Sequence, residues 1–150
     1  MQYKICEDNI IRRRVGTKWN PACPNDWFQP LVEKIQNNNK LTPKEDQLYG
    51  QCILSLVEII LNNKKFKFQD WDIKSECQSE MLHDILVNMP TNFDKTKGKA
   101  YSYAFRIGYV AGIHILEKYN DIREHEISFD DLNITNLDIE AKHQMFHLKE

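Results

Sequence analysis

The run Thr42-Pro43-Lys44-Glu45 limits the folds open to this chain more than any other stretch. A threonine hydroxyl placed to accept from the backbone three residues on, a proline at the first helical position and a glutamate at the third make a capping box, which marks a helix start. Behind it Leu48, Cys52, Leu56, Ile59 and Ile60 recur at helical spacing, and Tyr49, Ile53 and Val57 widen the stripe. A helix apolar on so many sides is stable only when other elements surround it. The expectation is therefore an all-α fold, a compact bundle of about four main helices plus a short C-terminal tail helix.

The other elements are read from the same kinds of signal. Residues 1–23 read as an irregular N-terminal arm, because Gly16, Pro21 and Pro24 interrupt any helix there. The arm carries a basic cluster, Arg12-Arg13-Arg14, which can touch nucleic acid or simply be solvated. Asn25 or Asp26 is expected to cap a first helix to about Lys34, with Trp27, Phe28, Leu31 and Ile35 near one face. Pro30 fits that helix only if it lies within the first turn. Residues 66–71 read as a loop whose rings close the end of the bundle. Asp70 or Asp72 opens a third helix, apolar at Ile73, Cys77, Met81, Leu82, Ile85, Leu86 and Met89, and Pro90 is expected to stop it. The fourth helix is placed from about Lys99 to Asn120. The core domain then spans 24–125, and 126–150 is an acidic C-terminal tail with a helical pattern from about Leu137.

Composition narrows the function classes. A chain of 150 residues, 41% hydrophobic and 28% charged, holds one domain with a real core. No run approaches the roughly 20 apolar residues of a membrane span, and the N-terminal stretch has no apolar segment of the kind a signal peptide uses. Cys6, Cys23, Cys52 and Cys77 show no paired spacing and read as reduced structural thiols of a cytoplasmic protein. Phosphate-cradling glycine loops, HExxH and G-x-S-x-G are absent, so neither catalysis nor a cofactor is expected. His143 and His147 stand four apart near Glu140, but two histidines in a tail are weak grounds for a metal site, and none is assigned. The formal net charge of -2 argues against a protein that coats duplex DNA unaided.

Against that acidity one stretch stands out. From Lys95 to Leu116 there is no acidic residue, and a loop carrying Lys95, Lys97 and Lys99 runs into an aromatic helix. Lysines meet phosphates, and ring faces stack on unpaired bases. At 100° per residue Ala104, Gly108, Ala111, Gly112, Ile115 and Tyr119 gather on one side, where small residues allow close helix packing. Tyr103, Arg106, Val110, His114 and Glu117 gather on the other. The competing reading is a helix that packs its rings in a core behind a solvated loop.

The order Leu48–Leu61, Phe66-Lys67-Phe68 with Trp71, Glu80-Met81 with Asp84, Asn92-Phe93-Asp94, Ala100-Tyr101-Ser102-Tyr103, then Tyr109 and Ala111 resembles the core region of bacterial sigma factors over residues 47–130. It is most similar to the short late-transcription sigma factors of large tailed bacteriophages. The resemblance implies partners: core RNA polymerase, through the clamp helices of its largest subunit, and the non-template strand of promoter DNA in an infected bacterial cell. It implies polymerase contact by Glu76, Gln78, Glu80 and Asp84, with Asp84 matching the acidic position best. For DNA it implies that Tyr103 captures a base flipped from the minus-ten element, that Phe93 begins the preceding loop, and that Lys95, Lys97 and Lys99 hold phosphates. Arg106 and Ile107 occupy the places of the duplex-wedging ring pair, with Val110 and His114 further along the same face. The loop is one residue shorter than the family's, so Tyr101 stands as a rival to Tyr103. The chain ends in Gln144, Met145, Phe146 and Leu148, which resemble the tails that fill sliding-clamp pockets in such phage factors. The other reading of those residues is an ordinary terminal helix folded on the bundle. Nothing resembles a helix-turn-helix reader of the minus-thirty-five element. The alternative function is a helical polymerase-binding or protein-interaction adaptor that does not contact DNA.

Overall fold

The structure, a computed structural model, describes residues 2–136, with side chains described as far as 122. The chain opens with three antiparallel strands, β1 (Tyr3–Ile5), β2 (Ile11–Val15) and β3 (Lys18–Pro21), in the order β1-β2-β3. Helices follow as α1 (Asn25–Gln36), α2 (Pro43–Leu61), α3 (Lys64–Lys67), α4 (Trp71–Asn92) and α5 (Ala100–Asn136). The fold is therefore α+β, and the all-α expectation is wrong. The irregular arm expected at 1–23 is a sheet: Asn9 and Gly16 take positive φ in the two tight turns, so the residues that break a helix instead close hairpins.

The helix at the centre is the expected one. Thr42 accepts from the Glu45 backbone at 3.2 Å, and Glu45 accepts from the Thr42 backbone at 3.1 Å, closing the capping box. Cys52, Ile53, Leu56, Val57 and Ile60 of α2 are buried, because α1, α3, α4 and the sheet all pack on it. The sheet is tied to α2 by a relay of bonds, buried at Ser55 and reaching the surface at Asn9. The Ile11 N–H donates to Ser55 Oγ at 2.7 Å, Ser55 Oγ donates to the Gln51 carbonyl at 2.6 Å, and Gln51 Nε2 donates to Asn9 Oδ1 at 3.1 Å. The buried Ile11 N–H and Ser55 hydroxyl of this relay thereby have partners away from water.

Several boundaries differ from expectation for identifiable reasons. Pro24, not Asn25 or Asp26, precedes α1, and no side chain caps it. Pro30 sits beyond the first turn but faces solvent, where water can hydrate the carbonyl it leaves unpaired, while Phe28, Leu31 and Val32 anchor the buried side. Pro90 does not stop α4. Met89 beside it is fully buried, and in this last turn Asn88 Nδ2 donates to the Asp84 carbonyl at 2.9 Å. The 66–71 loop contains the end of the single turn α3. Phe66 closes the core as expected, but Phe68 and Trp71 are 81% and 78% exposed.

The chain divides into two units, residues 1–115 and 116 onward. In the first, the small-residue face of α5 is buried at Ala104, Gly108, Ala111 and Gly112. A Cβ added at Gly108 would stand 2.6 Å from Ile60 Cδ1, and one at Gly112 would stand 2.6 Å from Phe66 Cε1, so a larger residue at either position requires those side chains to shift. In the second, helix continues to Asn136, past the Asn120 end expected from the sequence.

Candidate nucleic-acid interface

The basic loop is held in place by α1. Gln36 Nε2 donates to the Phe93 carbonyl at 2.6 Å, and Lys95 pairs with Glu33 at 3.5 Å. Two first-turn donors of α5 find acceptors on the same helix: the Ala100 N–H donates to Gln29 Oε1 at 3.1 Å and the Tyr101 N–H to Asn25 Oδ1 at 3.0 Å. Asn25 Nδ2 in turn donates to Gln29 Oε1 at 3.1 Å. These amides cap a helix more than seventy residues away, a role that local sequence does not signal. Within the loop, Asp94 Oδ1 accepts from the Thr96 N–H at 2.9 Å and the Thr96 hydroxyl at 2.6 Å, a turn that also holds its carboxyl below the usual range.

A cleft of about 440 Å³ opens between the loop and α5, lined by Asn92, Phe93, Asp94, Lys97, Gly98, Lys99, Ser102, Tyr103 and Arg106. Tyr103 forms part of its wall, half-buried, with its ring 6.0 Å from that of Phe93 and tilted by 39°. Lys97, Lys99 and Arg106 are exposed, and among the described residues none is in an ion pair. Three cations against one carboxylate, which Thr96 and the nearby charge of Lys97 already satisfy, leave a positive rim around an aromatic wall. Such a site can hold a phosphodiester at its rim and an unpaired base against the ring.

The structure separates the sequence candidates. Lys97, Lys99, Tyr103 and Arg106 come together in the cleft. Phe93 joins them but is only 7% exposed, so it backs Tyr103 and offers no stacking surface of its own. Lys95 lies outside the cleft, paired with Glu33. Tyr101 faces elsewhere: it stands 6.2 Å from the Phe105 ring and lines a different cavity with Tyr3, Arg13 and Cys23, where burial raises its phenol pKa. Val110 and His114 are exposed further along α5, and Ile107 is half-buried. Ser102, Asn92 and the α1 amides carry no signal in the sequence that marks them as site residues.

On α4 the buried residues fall at every fourth position, Ile73, Cys77, Met81, Ile85 and Met89. Glu76, Glu80 and Asp84 form a parallel half-buried row beside them. Gln78 lies on the opposite flank, in a small cavity with Glu58, Trp71 and Lys74. Leu86 and Val87, 50% and 54% exposed, continue the outward side of α4 past Asp84. His83 Nδ1 lies 3.0 Å from Asp84 Oδ1, and with Glu80 these groups cluster on the surface. Among the described residues no helix is long and apolar enough to cross a membrane. Gln144, Met145, Phe146 and Leu148, like His143 and His147, lie outside the described residues.

No protein-family model, no curated protein and no solved structure matches this chain. The functional reading therefore rests on the site itself.

Proposed function

We propose that this chain is a sigma-type promoter-recognition subunit of the phage late class, acting in the cytoplasm of an infected bacterium. It docks on core RNA polymerase through α4 and captures a base of the minus-ten element in the α5 cleft. The observation that carries this reading is the cleft itself: an open tyrosine wall rimmed by Lys97, Lys99 and Arg106 in a chain whose net charge is negative. A chain of this net charge meets DNA only at local basic patches. A polymerase that supplies most of the electrostatic attraction leaves only a local basic and aromatic site to be provided.

The division of work follows from the chemistry. Opening a duplex costs a few kcal/mol per unstacked step, and stacking a flipped base on a ring recovers roughly 1–3 kcal/mol. Tyr103 supplies the ring, Phe93 fixes its orientation from behind, and the three cations hold the flanking phosphates. Arg106, with no ring pair beside it, positions the strand and does not wedge the duplex. The acidic row Glu76, Glu80 and Asp84, with exposed Val87 one turn on, gives α4 the mixed charged and apolar surface of a protein contact. That same surface favours the second reading, an adaptor that binds polymerase or another protein without DNA.

Run-off transcription with core polymerase, with and without this chain, separates the two. The sigma reading requires chain-dependent transcripts from an AT-rich promoter and none from its scrambled counterpart. Polymerase binding with no promoter-specific transcript establishes the adaptor and ends the sigma reading.

A further inference from the structure

Alternation along β2 divides the Arg12-Arg13-Arg14 run between two faces. Ile11 and Arg13 turn toward the core: Ile11 is fully buried, and Arg13 is half-buried against a cavity shared with Tyr3, Asn20 and Tyr101. Arg12 and Arg14 point the other way. The register places Lys4 opposite Arg12 and Trp19 opposite Arg14, so all four share the outward face. Lys4 Nζ reaches to 4.1 Å from the centre of the Trp19 ring, which fixes the two side chains across the sheet.

The charge of this face is cancelled only at Arg12. Asp8 holds Arg12 in a two-pronged pair at 2.9 and 2.7 Å. Lys4 and Arg14 have no carboxylate partner among the described residues, and Arg14 donates only Nε, to the Gly16 carbonyl at 3.0 Å. Its two terminal nitrogens stay available as a fork, the geometry that suits a phosphate. Positions 12 and 14 lie roughly 6.8 Å apart along one strand, and neighbouring strands lie about 4.8 Å apart. The cations thus form a flat array instead of a point.

We infer that the outward face of this sheet binds the phosphate backbone of duplex nucleic acid. Charge selects a polyanion. The state of Trp19 favours a duplex over a single strand, because its ring is half-buried and Lys4 covers one of its faces, which leaves little ring for an unpaired base. This differs from the α5 cleft, where Tyr103 offers that surface. The inference does not rest on the role proposed for the cleft, and either can fail alone.

The test is anisotropy of a labelled duplex of about 30 base pairs titrated with the full chain, repeated between roughly 20 and 150 mM salt. Lys4→Ala/Arg14→Ala should weaken duplex binding about tenfold at the lowest salt and make the log–log salt slope shallower by roughly 2. The charge-conserving Lys4→Arg/Arg14→Lys should keep the slope. Melting curves verify that the variants fold, and if the double variant melts early, Arg14→Gln alone should lower the slope by about 1. An unaltered slope in the folded variants, or no duplex binding by the native chain at the lowest salt, overturns the inference. Polyglutamate that binds as tightly as duplex, with the same dependence on Lys4 and Arg14, also overturns it and assigns the face to an acidic protein.

Discussion

Phe93 holds Tyr103 from behind: the two rings stand 6.0 Å apart at 39°, one buried and the other open to the cleft. The pair looks like a double aromatic contact surface in the sequence, but its members have different duties, and substitution separates them. Phe93→Ala empties a buried ring site and should cost about 3 kcal/mol, lowering Tm by roughly 6–12 °C. Tyr103→Ala should lower Tm far less. It should weaken binding of an unpaired strand by roughly 5- to 150-fold, the equivalent of 1–3 kcal/mol of lost stacking. Permanganate reactivity of promoter thymines reads the same loss, and a pre-melted bubble template should restore it. Tyr101→Ala, on the other side of α5, should not show this phenotype.

Asp84 lies in the acidic row of α4, half-buried one turn before exposed Val87. Reversing its charge should abolish co-purification with core polymerase. Asp84→Lys leaves the buried row Cys77, Met81 and Ile85 untouched, so the helical circular dichroism should be unchanged. Undiminished polymerase binding by this variant would rule out α4 as the docking helix.

Gly112 and Gly50 are both helical glycines with opposite surroundings. A Cβ at Gly112 would press on Phe66 Cζ at 2.7 Å and on Met81 Cε, whereas one at Gly50 meets nothing within 4 Å. Gly112→Ala should therefore destabilise by about 1–3 kcal/mol, less the fraction of a kcal/mol that alanine gains in a helix. Gly50→Ala should stabilise by roughly 0.5–1 kcal/mol. Denaturant midpoints moving in opposite directions check the packing of α5 on α3 and α4.

Tyr49 is buried against Phe28, and its hydroxyl has no hydrogen-bond partner among the described residues. Burial, with Cys52 nearby, pushes its pKa up to about 12 from 10.0, and burial of Cys77, with Glu76 nearby, pushes that thiol up to about 11 from 9.0. Between those values the native chain binds more protons than the unfolded one, so stability falls as pH rises. The Cys77 contribution is complete below pH 9.0 and lost by about 11, and the Tyr49 contribution is complete below 10.0 and lost by about 12. Tyr49→Phe removes the unpaired hydroxyl and should raise stability at neutral pH by about 1 kcal/mol, roughly 2–4 °C in Tm. It should also flatten the decline above about pH 10. A destabilised Phe variant would show that the hydroxyl contributes to the fold.

What the sequence determined by itself is whatever a few adjacent residues decide. The Thr42 and Glu45 capping box closes as written because its donors and acceptors are three residues apart. The phase of α5, with Ala104, Gly108 and Gly112 inward and Arg106 outward, follows from helical period alone, and so does the choice of Tyr103 over Tyr101 for the cleft. The tertiary structure decided what depends on distant partners. Residues 3–21 become a sheet because their hairpins pair and Ile11 finds Ser55 on α2, forty-four residues on. Pro90 stays within α4 because buried Met89 holds the turn it would otherwise break. The basic loop stands where it does because Asn25, Gln29 and Gln36, amides with no local signature, cap and tether it from α1. Local bonding can be read along the chain, but a hydrogen bond across seventy residues exists only once packing has brought its two ends together.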